Sequence, residues 1–261
     1  MTGTGTNNPI SLSTVDDFRV PLWPVGRPTE GVGVETPWGT VRFLDGVPSS
    51  RHQDALIAIA ACSVANKTDE VGRLHILFDM PDVKKMMNCD DWHWLKSKLN
   101  ELVSMKVELK KNNDDWGRTR TILAGVDDSD VDAPRRKGQK AAKFKEIIFS
   151  EITSQLIRDG MLVYMKREVT EAVLALHHPV SRSVARFCLS HSTDQVHGLE
   201  TVLKAVGCGG GDRMVRKYRW QLHKDEVGLA KLGVTVTNNQ VISKRQKGVW
   251  FKKTEPLSAG S

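Results

Sequence analysis

The stretch that most limits the folds open to this chain runs from Gly207 to Val234. Gly207-Cys208-Gly209-Gly210-Gly211 reads as a turn, because so many glycines are costly inside a helix. Asp212 stands where a helix cap is wanted, and the residues after it separate onto two faces. With Met214 at zero and ~100° per residue, Tyr218, Leu222 and Val215 fall at roughly 40°, 80° and 100°, and Leu229 and Leu232 share their sector. Arg216, Trp220, Arg213, Lys224 and Lys217 occupy roughly 200–300°. One face is built to pack, and the other presents four cations and an indole. The spacing predicts a single helix from Asp212 to about Leu232, with its cations crowded into the N-terminal half. A helix lying in the major groove of duplex DNA presents its N-terminal half to the bases in this way.

The flanks of this helix extend the pattern. Gly198–Val206, with Leu199, Val202 and Leu203 inward, is a short helix before the glycine turn. Thr235–Thr237 and Val241–Ser243 flank Asn238-Asn239, a hairpin with turn-forming residues at its tip. A basic strand from Lys244 through Lys253 follows, and Lys244, Arg245 and Lys247 are expected where a wing meets a flanking phosphate or the minor groove. Helix, tight turn, helix and hairpin is the order of a winged helix-turn-helix.

Charge agrees with that reading. Residues 179–253 carry 14 Lys and Arg against 5 Asp and Glu, whereas the rest of the chain holds 24 against 26. The whole positive excess sits in the last third, and such a surface suits a polyanion whose condensed counterions it can release.

Two further segments divide the chain. Residues 1–30, rich in Gly, Thr, Asn and Pro, read as a flexible tail that docks through Val20, Leu22 and Trp23. An acidic run meets a basic one around Pro134, and 127–142 reads as a charged linker or long loop. The expected bodies are therefore 31–126 and 143–253, with a short tail over 254–261. In the first, Ser49 or Ser50 caps a helix with Leu56, Ile57, Ile59 and Ala60 along one stripe, and Leu74–Phe78 is a strand. Pro81–Met87 is a short helix, Asp90 or Asp91 starts a longer one, and Val107–Lys111 with Arg118–Ala124 forms a hairpin. That longer helix has a mixed polar face of His93, Trp94, Ser97, Lys98, Asn100 and Glu101. The first body is accordingly expected to meet a protein partner through an exposed Trp94 and to touch DNA through Arg118 and Arg120. In the second body, Lys145–Phe149 is a strand, Ile152–Ile157 a short helix, and Ser181–His191 an amphipathic helix.

Enzymatic readings find little support. No GxxxxGK[ST] loop is present, and neither Gly31-Val32-Gly33 nor Gly209–Gly211 has the strand–turn–helix frame of a dinucleotide site. Nicking of DNA would need a tyrosine, and only Tyr164 and Tyr218 exist. His177 and His178 are adjacent and would point ~100° apart on a helix, so they suit a loop better than a metal. Asp127, Asp128, Asp130 and Asp132 lack the glycine and final glutamate of a calcium loop. The four cysteines form no CxxC pair, and a reduced compartment suits them. No run approaches the ~18 apolar residues of a membrane helix and residues 1–20 lack the form of a signal peptide, so the expected place is the cytoplasm. The chain is expected to be non-enzymatic, with no cofactor and no metal.

With these residues in view, the second body resembles the C-terminal winged helix of plasmid replication initiators, the twin winged-helix Rep proteins that bind iterons. The resembling pieces are FKEIIFSEITSQLI, SRSVARFCLSH, GLETVLKAVG, DRMVRKYRWQLHKDEVGLAKLGVTV and the basic segment ending KRQKGVWFKK. In the first body ETPWGTVRFLDGVPSSRHQDALIAIAA is similar to the start of their N-terminal domain, so the likeness spans about 35–253. It implies an α+β protein of two winged helix-turn-helix domains that binds direct repeats in double-stranded DNA at an origin. It further implies local opening of the duplex, recruitment of a host initiator and replicative helicase, and exchange between an autoregulating homodimer and an initiating monomer. Base reading would fall to Arg213, Arg216, Lys217 and Trp220, with Lys224 on the same face, and backbone contacts to Lys244, Arg245 and Lys247. A transcriptional repressor using the same module on an operator is the alternative.

Overall fold

Two apolar patterns in the chain need separate cores, and the fold supplies one to each. In the computed structural model the residues described are 22–26, 31–36, 39–111, 118–132, 143–159, 161–208 and 211–253. What the sequence suggests for 1–21, 112–117, 133–142, 209–210 and 254–261, Val20 included, lies outside the described residues. The architecture is mixed α+β, and every strand pair is antiparallel.

The chain opens with β1 (Gly33–Thr36) and β2 (Gly39–Asp45), then α1 (Ser50–Ala61), β3 (Ser63–Thr68) and β4 (Leu74–Asp79). Next come α2 (Met80–Met86) and α3 (Trp92–Ser104). Ser49 is the N-cap of α1, and its backbone N–H donates to His52 Nδ1 at 2.9 Å. Asp91 caps α3 by accepting from the backbone N–H groups of His93 and Trp94 at 2.8 and 3.2 Å. Four strands follow: β5 (Lys106–Lys111), β6 (Arg118–Thr121), β7 (Leu123–Asp132) and β8 (Lys143–Phe149). They complete two sheets, ordered β1-β2-β5-β6 and β3-β4-β8-β7.

This corrects the expected linker. Residues 127–132 belong to β7, an edge strand whose register slips between Asp127 and Val131, so the acidic run is accommodated in a bulge. β8, expected to open the second body, lies between β4 and β7. The reason is burial: Ile147 and Phe149 need an apolar neighbour, and β4 offers Ile76 and Phe78, all four at most 1% exposed. α4 (Glu151–Asp159) follows on the same core through Ile157. The first core therefore runs as far as Leu162, and the second begins at Val169.

The joint between them is β9 (Met161–Met165), which among the described residues pairs only with β13 (Val249–Lys253), the last described strand. Tyr164 and Trp250 face each other in this pair with ring centroids 5.6 Å apart and nearly parallel. On the other face Val163 packs against Ile57 of α1.

The second body runs through α5 (Arg167–Leu174), α6 (Pro179–Leu189), β10 (Gln195–Gly198) and α7 (Leu199–Ala205). α8 (Asp212–Lys224), α9 (Glu226–Lys231), β11 (Val234–Val236) and β12 (Gln240–Ser243) complete it, and its sheet is ordered β10-β12-β11. α7 ends as its glycine requires. Gly207 adopts φ +69°, its N–H donates to Lys204 O at 3.0 Å, and Cys208 N–H reaches back to Leu203 O at 2.8 Å.

α1 meets the second body through both α5 and α6. Arg186, 1% exposed, donates to Gln53 Oε1 at 2.9 Å and to Asp54 Oδ1, while Arg182 Nε lies 3.0 Å from Asp54 Oδ2. Leu22 and Trp23 are buried in the first core, and the next residues bond across to the second: Val25 N–H to Val206 O and Gly26 N–H to Gly207 O. All four cysteines are free thiols. Among the described residues no helix is long and apolar enough to cross a membrane.

Candidate nucleic-acid interface

α8 begins at Gly211, the N-cap, with Asp212 in its first turn, where a carboxylate favours the positive end of the helix dipole. Its packing face is the one the wheel indicates: Tyr218 and Leu222 are buried in the second core, with Met214 and Val215 half-buried against it. Its other face carries Arg213, Arg216, Lys217, Trp220 and Lys224, all exposed. Trp220 is 57% exposed, a large figure for an indole. Its ring is held from two sides: Lys224 Nζ lies 5.5 Å from the ring centroid, and His178 meets it edge-on at 5.8 Å. Arg216 Nε donates back to Asp212 O at 3.4 Å.

The helix is shorter than its periodicity predicts. It ends at Lys224, and Asp225 separates it from α9. The Asp225 carboxylate accepts from the backbone N–H groups of His177 and His178 at 3.2 and 2.9 Å and lies 3.1 Å from His178 Nδ1. Partial burial acts to raise this carboxyl. The hydrogen bonds from the His178 backbone, the His177 backbone and the His178 ring act against it, and the group is held below its ordinary value. The break is thus a bolt: one side chain fixes the C-terminal end of α8 to the turn that starts α6. His177 and His178 sit in that turn, as the sequence suggests.

Lys244, Arg245 and Lys247 are exposed but stand elsewhere. The β11–β12 hairpin closes at Thr237–Gln240, and its tip meets the start of α7, where Leu199 N–H donates to Asn239 O at 2.8 Å. Lys244 N–H donates to Gly233 O at 2.8 Å, and Arg245 N–H donates to Asp194 Oδ1 at 2.8 Å, so both lie at the base of the hairpin. From Gln240 to Lys244 is four residues, ~13 Å of strand at ~3.3 Å each. The expected strand from Lys244 begins only at Val249 and pairs with β9, away from the hairpin. The structure therefore gathers the five α8 residues on one face and sets the other three apart.

The longer helix of the first body departs from expectation too. Trp94 is half-buried against the first core rather than exposed, with the Arg51 guanidinium 5.8 Å from its ring centroid. Glu101 is engaged by Lys98 and by His52 Nε2 at 3.0 Å. The side chains of Arg118 and Arg120 lie outside the described residues. Tyr164 is half-buried, and desolvation raises its hydroxyl above the ordinary value. Among the described residues no group of three or more His, Cys, Asp and Glu is arranged to hold a metal ion.

Sequence reasoning missed His178 and Asp225 as supports of Trp220. The one signal was the acidic residue interrupting a basic helix.

No protein-family model and no curated protein matches this chain. Solved structures do. A crystal structure of domains 2 and 3 of RctB, in selenomethionine form, superposes with a TM-score of 0.57 over 90% of this chain and 99% of that one, at 10% identity. What is shared is the fold. A second structure of RctB domains 2–3, residues 155–483, matches at a TM-score of 0.47 and 11% identity, over 86% and 95% of the two chains.

Proposed function

We propose that this chain is a replication initiator that binds duplex DNA sequence-specifically through α8. The observation that carries the reading is the exposed α8 face, four cations and a braced indole on a helix that follows α7 and a tight turn. Its fold likeness to domains of RctB, a replication initiator, supports the same role. In this reading both bodies are winged helix-turn-helix domains. The order α6, β10, α7, α8, β11, β12, with β12 central in its sheet, favours that assignment for the second body.

Arg213, Arg216 and Lys217 contact base edges or phosphates, Trp220 packs on a sugar or base, and Lys224 meets the adjacent backbone. Lys244, Arg245 and Lys247 add to the positive field that draws the duplex in. The action is binding energy spent on distorting DNA at an origin, without covalent chemistry. Direct repeats, a plasmid origin, a host initiator and helicase as partners, exchange between monomer and homodimer, and a cytoplasmic site of action complete the proposal.

The test is footprinting on the replicon's own DNA across a salt series, with the wild type and Arg216→Ala/Lys217→Ala. Protection repeating at ~20 base pairs in one orientation, about two helical turns, fits an initiator. The double variant should fold normally, lose specific protection, and reduce the slope of log K against log[salt] by about 2. A single palindromic footprint over a promoter makes the protein a repressor. Unchanged binding by the double variant removes α8 from the interface.

A further inference from the structure

Between the two bodies lies a cleft of about 510 Å³ that no residue of α8 lines. That volume is within the ~300–1,000 Å³ typical of small-molecule sites. Three features describe what would fit it. The first is an aromatic wall: the half-buried Trp94 indole lines the cleft, with Met87, Leu174 and Pro179 as apolar neighbours.

The second is charge. Arg51 and Arg182 line the cleft, and Arg186 stands behind Arg182. Asp54 is shared between Arg182 and Arg186, and Arg51 pairs with no carboxylate within 4.0 Å among the described residues. Two guanidiniums thus share one carboxylate, and Arg51 adds a third positive charge beside Arg182 with no carboxylate of its own. Burial disfavours the Arg182 charge, Asp54 favours it, and Arg186 and Arg51 add repulsion that an anion would relieve. The other acid on the rim, Asp91, is engaged by the backbone N–H groups of His93 and Trp94.

The third is adaptability. Arg51 is exposed and covers the Trp94 ring, so it can yield that face to a planar group and turn its guanidinium to the group's anionic end.

A nucleotide joins a planar aromatic ring to an anion at this size. We propose that the cleft binds one nucleotide, its base stacked on Trp94 and its phosphate held by Arg51 and Arg182. The nucleotide is either free or an unpaired residue of a DNA strand. The site is separate from α8 and does not depend on how α8 is used.

The experiment is calorimetric titration of the full chain with ATP and, separately, with a 12-nucleotide oligothymidylate. The variants are Arg51→Ala, Trp94→Phe, Trp94→Ala and Arg216→Ala/Lys217→Ala, each checked by thermal unfolding. Expected is saturable binding of at least one probe, weakened about tenfold by Arg51→Ala and by Trp94→Ala. Trp94→Phe, which keeps a stacking face and guards against loss of fold, should stay within about threefold of wild type. Binding of ATP identifies a free nucleotide; binding of the oligonucleotide alone identifies an unpaired strand. No binding of either probe below about 1 mM overturns the proposal. So does binding that Arg51→Ala leaves intact, or that falls only in the α8 variant. Failure of duplex binding in every protein would reject the initiator reading and leave this result untouched.

Discussion

Asp54 has two guanidiniums to neutralise and almost no water to help it. It is 5% exposed, and Arg186 beside it is 1% exposed. Removing the carboxylate strands two cations in a low-dielectric joint, so Asp54→Ala should lower stability by about 3–5 kcal/mol in urea unfolding. Replacing Asp54 and Arg186 together with Leu and Met should restore part of that loss, because the buried Arg186 charge goes with its partner while Arg182 still lacks its carboxylate. A double variant as unstable as the single one would show that the pair does more than cancel charge. Asp225 is a contrasting case, partly wet and held by backbone donors. Its folded pKa lies below the ordinary value, so its stabilisation is complete above about pH 4 and drains as pH falls through the lower folded value. The stability difference between wild type and Asp225→Ala should therefore be flat from pH 7 to about 5 and shrink below about pH 4. A difference that grows on acidification would assign the opposite sign to its hydrogen bonds.

Among the elements, α9 shows how little room a terminus leaves. Gly233 follows it with φ +72°, and a Cβ there would meet Lys244 O at 2.9 Å. Gly233→Ala meets both a left-handed backbone and a fixed carbonyl, and should destabilise by about 2 kcal/mol in denaturant unfolding, against near-neutral change at the open Gly211. Helices and hairpins of this kind were readable in advance. The α8 wheel, the Asp91 cap, the Pro81 start and the Asn238-Asn239 tip each rest on local chemistry that the sequence carries in a few neighbouring residues. The failures share a different cause. α1 has an apolar stripe in sequence, yet its Ser50, His52, Gln53 and Asp54 are buried as well: Arg186 of α6 bonds Gln53 and Asp54, and Glu101 of α3 reaches His52. The acidic run of β7 reads as a linker because it looks unpackable. An edge strand needs only one paired side and tolerates charge on the other. The base position of Lys244 and Arg245 depends on Gly233 and Asp194, the latter 51 residues from Arg245. Pairings at that distance leave no periodic trace.

Across the whole molecule, the two cores are joined by the Asp54 cluster, the segment 22–26 and the β9–β13 pair. Only the last involves the backbone of both ends of the second body. Trp250→Ala removes the ring stacked on Tyr164, and hydrogen exchange at Leu162 and Tyr164 should quicken while amides of α8 keep their protection. Equal loss of protection throughout would mean that the bodies unfold as one.

The meeting of β9 and β13 has one more consequence. A module whose incoming and outgoing chains leave by the same door is, topologically, a bead hung from a single point. Any peptide attached after Lys253 starts beside the first body rather than at the α8 face. A fusion partner placed there would crowd the joint before it crowded the helix. Conversely, a partner inserted at the Asn238-Asn239 tip would load the start of α7, where Leu199 N–H bonds Asn239 O.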